Sequence, residues 1–122
     1  MGKILIIEDD KLLRETLAEI LEFTGHNVVE AGNGKEGIIK FNESAPELII
    51  CDINMPFMDG FDMLKNLHKL HKEDEIPPFI FLSAKTEEKN IRRGLNMGAV
   101  DFVTKPYSAP ELLKLIDSRL KE

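Results

Sequence analysis

Glu8, Asp9, Asp52, Ser83 and Lys105 each follow directly on a short apolar run. ILII leads into Glu8, Asp9 and Asp10, LIIC into Asp52, FIFL into Ser83, and VDFVT into Lys105 and Pro106. If those runs lie side by side, three acids, a hydroxyl and a lysine converge on one rim. Clustered carboxylates without a counter-ion repel one another and drive their pKa values up. A divalent cation removes that repulsion, and an all-oxygen ligand set suits Mg²⁺.

What must position these residues is a parallel sheet. Apolar runs of this length, alternating with helical patterns, read as strands buried on both faces, and such sheets bind ligands just outside the carboxyl ends of their strands. Five strand-helix repeats span the chain. They predict an α/β fold with helices on both faces of the sheet. The first helix is expected over residues 11–24, with Leu13, Leu17, Ile20 and Leu21 inside and Gly25 as a left-handed cap. A second strand follows over residues 27–31. Asn33 and Glu36 form a capping pair for a helix that turns Gly37, Ile38 and Phe41 inward before the Ala45-Pro46 break. The third strand covers residues 48–52.

NMPFMDG is a loop, marked by Pro56 and Asp59-Gly60, and Asp59 is expected to cap a helix carrying Leu64, Leu67 and Leu70. Residues 72–75 and Pro77-Pro78 make a solvated connection to the fourth strand. Thr86 is expected to cap the next helix, with Glu87 and Glu88 in its first turn. Ile91, Leu95 and Gly98 lead on to the fifth strand. Ser108 and Glu111 form a capping box for a last helix that buries Leu112, Leu113, Ile116 and Leu120.

A length of 122 residues fits one domain, 1–122, with no linker and no fused output module expected. The net charge of −6, without a basic stripe, argues against direct nucleic-acid binding. No apolar run is long enough to span a membrane, and the acids after ILII come too early for a signal peptide, so a cytoplasmic location is expected. Cys51, the only cysteine, reads as an inert buried thiol. Asp10 is expected to cap the first helix. His68 and His71 lack a third ligand and read as a solvated face, His26 belongs to a turn, and the methionines fill the core.

IIEDD, CDINMP followed by MDG, FLSA and GAVDFVTKP resemble, in order and spacing, the receiver domains of bacterial two-component response regulators. The resemblance covers essentially the whole chain. It implies a flavodoxin-like, doubly wound five-stranded sheet of order 2-1-3-4-5, with Asp52 as the phosphoacceptor. It implies Mg²⁺ held by Asp9 and Asp52, by Glu8 through water, and by the backbone carbonyl of Asn54. Ser83 and Lys105 would contact phosphoryl oxygens. Asn54 and Lys85 would flank the phosphate and set its lifetime. Ser83 and Phe102 would form the switch to an output face on helix four, strand five and helix five. Family members with tyrosine at position 102 can tether its hydroxyl, which Phe102 lacks. The Lys105-Pro106 bond resembles the family's cis peptide. The implied partners are a sensor histidine kinase or phosphotransfer protein and a downstream protein target, with phosphorylation-dependent homodimerisation among the arrangements the resemblance allows.

Other classes compete. A phosphatase of the haloacid dehalogenase type also uses a strand-end Asp, Mg²⁺ and a Lys, but needs a second acid two residues after the nucleophile, where Asn54 stands. A flavodoxin-like cofactor carrier must place phosphate in the first strand-helix loop, where Glu8, Asp9 and Asp10 repel it. A receiver cut from a hybrid kinase or a DNA-binding regulator is a third arrangement. The domain is expected to be a signalling phosphoacceptor and not an enzyme acting on separate substrates.

Overall fold

Within each apolar run successive side chains leave opposite faces of the strand, so a run that is apolar throughout must be covered on both sides. Ile4, Ile6, Leu48, Ile50, Ile80 and Leu82 pack on one face with Leu17, Ala18, Leu21, Leu112 and Ile116. Leu5, Ile7, Ile49, Cys51, Phe79 and Phe81 pack on the other with Phe41, Phe61, Met63, Leu64 and Leu67. Each fully buried Leu, Ile or Phe contributes about 1.5–3 kcal/mol.

The structure, a computed structural model, describes residues 2–84 and 88–120. The elements are β1 (Lys3–Ile7), α1 (Lys11–Phe23), β2 (Asn27–Ala31), α2 (Gly34–Ser44), β3 (Leu48–Asp52), α3 (Gly60–Leu70), β4 (Phe79–Ser83), α4 (Glu88–Asn96), β5 (Asp101–Thr104) and α5 (Ala109–Leu120), with a short 3₁₀ turn, Glu73–Glu75, before β4. All strand pairs are parallel and the order is β2-β1-β3-β4-β5, as the resemblance implies. Helices α1 and α5 cover one face, and α2 and α3 the other. The chain steps from β1 to β2 in one direction and to β3 in the other. That reversal opens a crevice at the carboxyl ends of β1 and β3.

Local chemistry sets the helix ends. Asp10 Oδ1 accepts the Leu13 N–H at 3.1 Å and caps α1, as expected. Gly25 follows the last turn with φ +96°, a left-handed conformation that glycine adopts freely. Asn33 caps α2 through the Glu36 N–H at 2.8 Å, while the Glu36 carboxylate reaches back to the amide of Gly32 instead of that of Asn33. Asp59 and Asp62 form a reciprocal capping box on α3. For α5, Ser108 Oγ accepts the Glu111 N–H at 3.4 Å, one leg of the expected box.

Several expectations need correction. Helix α1 ends at Phe23, because the Thr24 hydroxyl turns back onto the Leu21 carbonyl at 2.9 Å. Leu13, expected inside, is substantially exposed: it sits in the first turn of α1, at the edge of a groove that it shares with Leu17 and Leu82. Gly94 is the buried residue of α4, and a Cβ there would come within 2.8 Å of the Phe81 ring. His71 is not a solvated group but packs edge-on against Phe41, with ring centroids 4.8 Å apart. His68 Nε2 lies 2.8 Å from the Met97 carbonyl. His26 sits in the turn after α1 with Nε2 3.3 Å from Asp117, tying it to α5. The expected Thr86 cap, Glu87 and Lys85 lie outside the described residues.

Candidate functional site

The ends of β1, β3, β4 and β5 bring together most of the residues singled out from the sequence. Glu8 is 3% exposed, Asp52 5% and Ser83 0%, whereas Asp9 is exposed. One carboxylate oxygen from each of Glu8, Asp9 and Asp52 lies within 4.8 Å of the other two. Lys105 reaches in from the end of β5, with Nζ 2.8 Å from Glu8 Oε1 and 3.3 Å from Asp52 Oδ1. Its own amide donates to the Ser83 carbonyl at 2.9 Å, which fixes the ends of β4 and β5 relative to each other. The Lys105-Pro106 peptide bond is cis.

The loop after Asp52 returns on itself. The Gly60 N–H donates to the Ile53 carbonyl at 2.9 Å, and a Cβ at Gly60 would sit 2.6 Å from the Asp52 carbonyl oxygen, so only glycine permits this closure. Asn54 is exposed in that loop, directly beyond Asp52. Phe102 is half-buried, its ring centroid 6.1 Å from that of Phe81. Phe102 is thus joined to the core behind Ser83. An apolar groove of about 420 Å³ between Leu13, Leu17, Leu82 and Tyr107 opens beside Glu8 and Lys105.

Two supporting residues were not legible beforehand. Arg14 Nη1 donates to the Glu8 carbonyl at 2.9 Å and its Nε to Glu30 at 3.1 Å, bracing the end of β1 from α1. Tyr107 lines the groove beside Lys105. Arg14 lies four residues after the capping Asp10, so helical spacing alone puts it over the strand end, but nothing in its type marked it out.

Burial raises the pKa of Asp52 against the opposing attraction of Lys105, and burial likewise raises that of Glu8. Lys105 is held above its ordinary value: burial opposes its charge, but contacts with Glu8 and Asp52 outweigh that effect. Burial also drives the Cys51 thiol well up, consistent with an inert core thiol. A carboxylate whose folded pKa is raised contributes stability that is present below its unfolded pKa and lost as pH rises through the folded value. In EDTA, therefore, Asp52→Asn should melt several degrees above the unaltered protein at neutral pH. The gap should shrink as pH falls into the ordinary carboxylate range of about 4. Thermal melts across pH check this; a parent more stable than Asp52→Asn at neutral pH in EDTA would contradict it.

A buried pair of acids, a third acid at the surface and a lysine between them form a preorganised oxygen site on a doubly wound sheet. The family model described as "Response regulator receiver domain" matches residues 4–117. The chain belongs to that family. Among curated relatives, "Probable transcriptional regulator ycf27" of Porphyra purpurea is 37% identical over 119 residues, covering 98% of this chain and 47% of that protein. "Transcriptional regulatory protein CpxR" of Escherichia coli (strain K12) is 36% identical over 121 residues, covering 99% and 50%. This receiver domain thus spans about half the length of the curated relatives it matches. Among solved structures, the chemotaxis protein CheY4 of Vibrio cholerae superposes with a TM-score of 0.90 at 28% identity, covering 98% of this chain and 99% of that one. The receiver domain of the Francisella response regulator 1452 superposes with a TM-score of 0.91 at 32% identity, covering 99% and 98%. No helix among the described residues is long and apolar enough to cross a membrane.

Proposed function

We propose that residues 1–122 form one cytoplasmic receiver domain that takes a phosphoryl group from a phosphohistidine onto Asp52. The observation that carries this reading is Lys105 Nζ, placed 2.8 Å from Glu8 and 3.3 Å from Asp52 at the mouth of a three-carboxylate cluster. A carboxylate is a weak nucleophile toward phosphorus, so the site acts by positioning and by neutralising charge on the transferring group. Asp52 supplies the attacking oxygen, the P–N bond to the donor imidazole breaks, and the imidazole leaves. Lys105 meets one phosphoryl oxygen as a point charge, and the Ser83 hydroxyl donates to another.

The clustered, all-oxygen donor set fits Mg²⁺, held directly by Asp9, Asp52 and the Asn54 carbonyl and through water by Glu8. Bound there, it would offset the carboxylate charge and polarise the transferring phosphoryl group. Asn54 and Lys85 are proposed to set the lifetime of the product. The new charge draws Ser83 toward the phosphate and repacks Phe102 against Phe81, so the signal emerges on α4, β5 and α5. The domain promotes its own phosphorylation and dephosphorylation and acts on no separate substrate.

The input partner is a sensor histidine kinase or phosphotransfer protein, and the output is a protein target or a second phosphorylated copy. The curated relatives named as transcriptional regulators extend to about twice this length. In such an arrangement any DNA contact belongs to the remainder, because this acidic segment repels the phosphate backbone. Incubation with acetyl phosphate and Mg²⁺ should add one phosphoryl group by intact mass. Asp52→Asn, or excess EDTA, should abolish the addition; full labelling under either condition would refute the assignment.

A further inference from the structure

The groove beside the acceptor joins an apolar lining to the charged groups of the site. Helix α1 supplies Leu13 and Leu17, β4 supplies Leu82, and the segment after β5 supplies Tyr107. Leu17 and Leu82 are 2% and 3% exposed, whereas Leu13 is 47% exposed. A single exposed leucine is ordinary on a protein surface. Here, however, Leu13 extends an apolar surface that begins at Lys105. The groove measures about 420 Å³, within the range of small-molecule sites, which are mostly apolar and carry a few placed polar groups.

Those polar groups are Glu8 and Lys105, the two that flank the acceptor. Lys105 Nζ lies 2.8 Å from Glu8 Oε1 and 3.3 Å from Asp52 Oδ1. A small molecule whose phosphoryl group sits on Lys105 and Asp52 therefore has an apolar cavity next to its leaving group. That juxtaposition selects a chemical class. A nucleoside triphosphate would bring a highly charged leaving group against apolar walls and the buried acid Glu8, at a large desolvation cost. An acyl phosphate brings an activated phosphoryl group on an uncharged hydrocarbon chain. Its charge stays at Lys105 and its chain enters the groove.

We propose that this groove receives the hydrocarbon chain of a small acyl phosphate, and that the domain favours a four-carbon acyl group over acetyl. The proposal rests on the phosphoacceptor reading and adds the small-molecule donor that the same site selects. In the transfer an Asp52 oxygen bonds to phosphorus and the bond from phosphorus to the acyl oxygen breaks. That oxygen keeps the electron pair and leaves as a carboxylate, so no proton has to move.

The test compares acetyl, propionyl and butyryl phosphate at equal, sub-saturating concentration with Mg²⁺, followed by intact mass. Their carboxylates are leaving groups of nearly equal basicity, so a rate difference reports contact with the chain. Each methylene multiplies the rate about four-fold when fully buried and about two-fold when half-buried. Butyryl phosphate should therefore label the unaltered protein at least about four-fold faster than acetyl phosphate. Leu13→Asn, which keeps the size of the side chain but makes it polar, should bring that ratio close to one. Phe23→Asn, the same kind of change at a 92% exposed residue at the far end of α1, should leave the ratio as it is. Each ratio is internal to one protein, so a general loss of activity cancels, and the series on the unaltered protein stands even if Leu13→Asn folds poorly. Equal or falling rates along the series would overturn the proposal. A ratio that survives in folded Leu13→Asn would place the chain elsewhere and overturn it too. An unaltered protein labelled by none of the three donors would remove the phosphoacceptor reading and this proposal with it.

Discussion

Lys105→Met should lower the rate of labelling by acetyl phosphate about 10²–10³-fold, the loss typical of removing one preorganised charge from a transition state. Lys105 Nζ touches both buried acids, so in the resting domain it offsets their repulsion, and in the reaction it meets the phosphoryl oxygen. Its removal also takes a positive charge away from the cation site, so Mg²⁺ should bind at least as tightly as to the parent. Lys105→Arg should not restore the rate, because a planar fork cannot replace a compact ammonium between Glu8 and Asp52. A time course by intact mass, alongside a calorimetric Mg²⁺ titration, separates the two effects. A parental labelling rate in Lys105→Met would contradict the role given to the lysine.

Asp9→Ala should weaken Mg²⁺ by at least about ten-fold, the loss that even an outer-shell change brings to a metal site. Asp10→Ala should leave the affinity nearly unchanged and cost about 1 kcal/mol of stability. The adjacent acids differ in direction. Asp9 offers an oxygen within 4.8 Å of those of Glu8 and Asp52, while the Asp10 carboxylate is turned onto the Leu13 amide at 3.1 Å. Titration calorimetry with melts of both variants measures each. Equal losses of Mg²⁺ affinity would mean that the two carboxylates share the cation.

The strands were the most legible part of the chain because parallel strands buried on both faces leave unbroken apolar runs. Residues 27–31 and 48–52 begin and end where the sequence places them. The rim residues were legible for the same reason, since a polar group at the end of such a run has nowhere to go but the carboxyl edge of the sheet. Helix faces were read less well. Leu13 satisfies the helical period of α1 yet is substantially exposed, because periodicity does not say which turn of a helix the rest of the fold covers. Arg14 escaped notice because its contact is to the backbone of Glu8, and a backbone acceptor leaves no mark in the sequence. The strained turn at Phe57 was read only as a loop, since Pro56 and Asp59-Gly60 announce a turn without fixing the dihedral between them.

Whether Asp52 carries the phosphoryl group can be decided by borohydride reduction of the labelled protein followed by tandem mass spectrometry. Reduction converts an aspartyl phosphate to homoserine and leaves free carboxylates and phosphate esters intact. After incubation with acetyl phosphate and Mg²⁺, homoserine should be found at position 52 and nowhere else, and the conversion should vanish in excess EDTA. Homoserine at position 9 or 10, or a labelled protein that yields none, would show that the buried carboxylate beside Lys105 is not the acceptor.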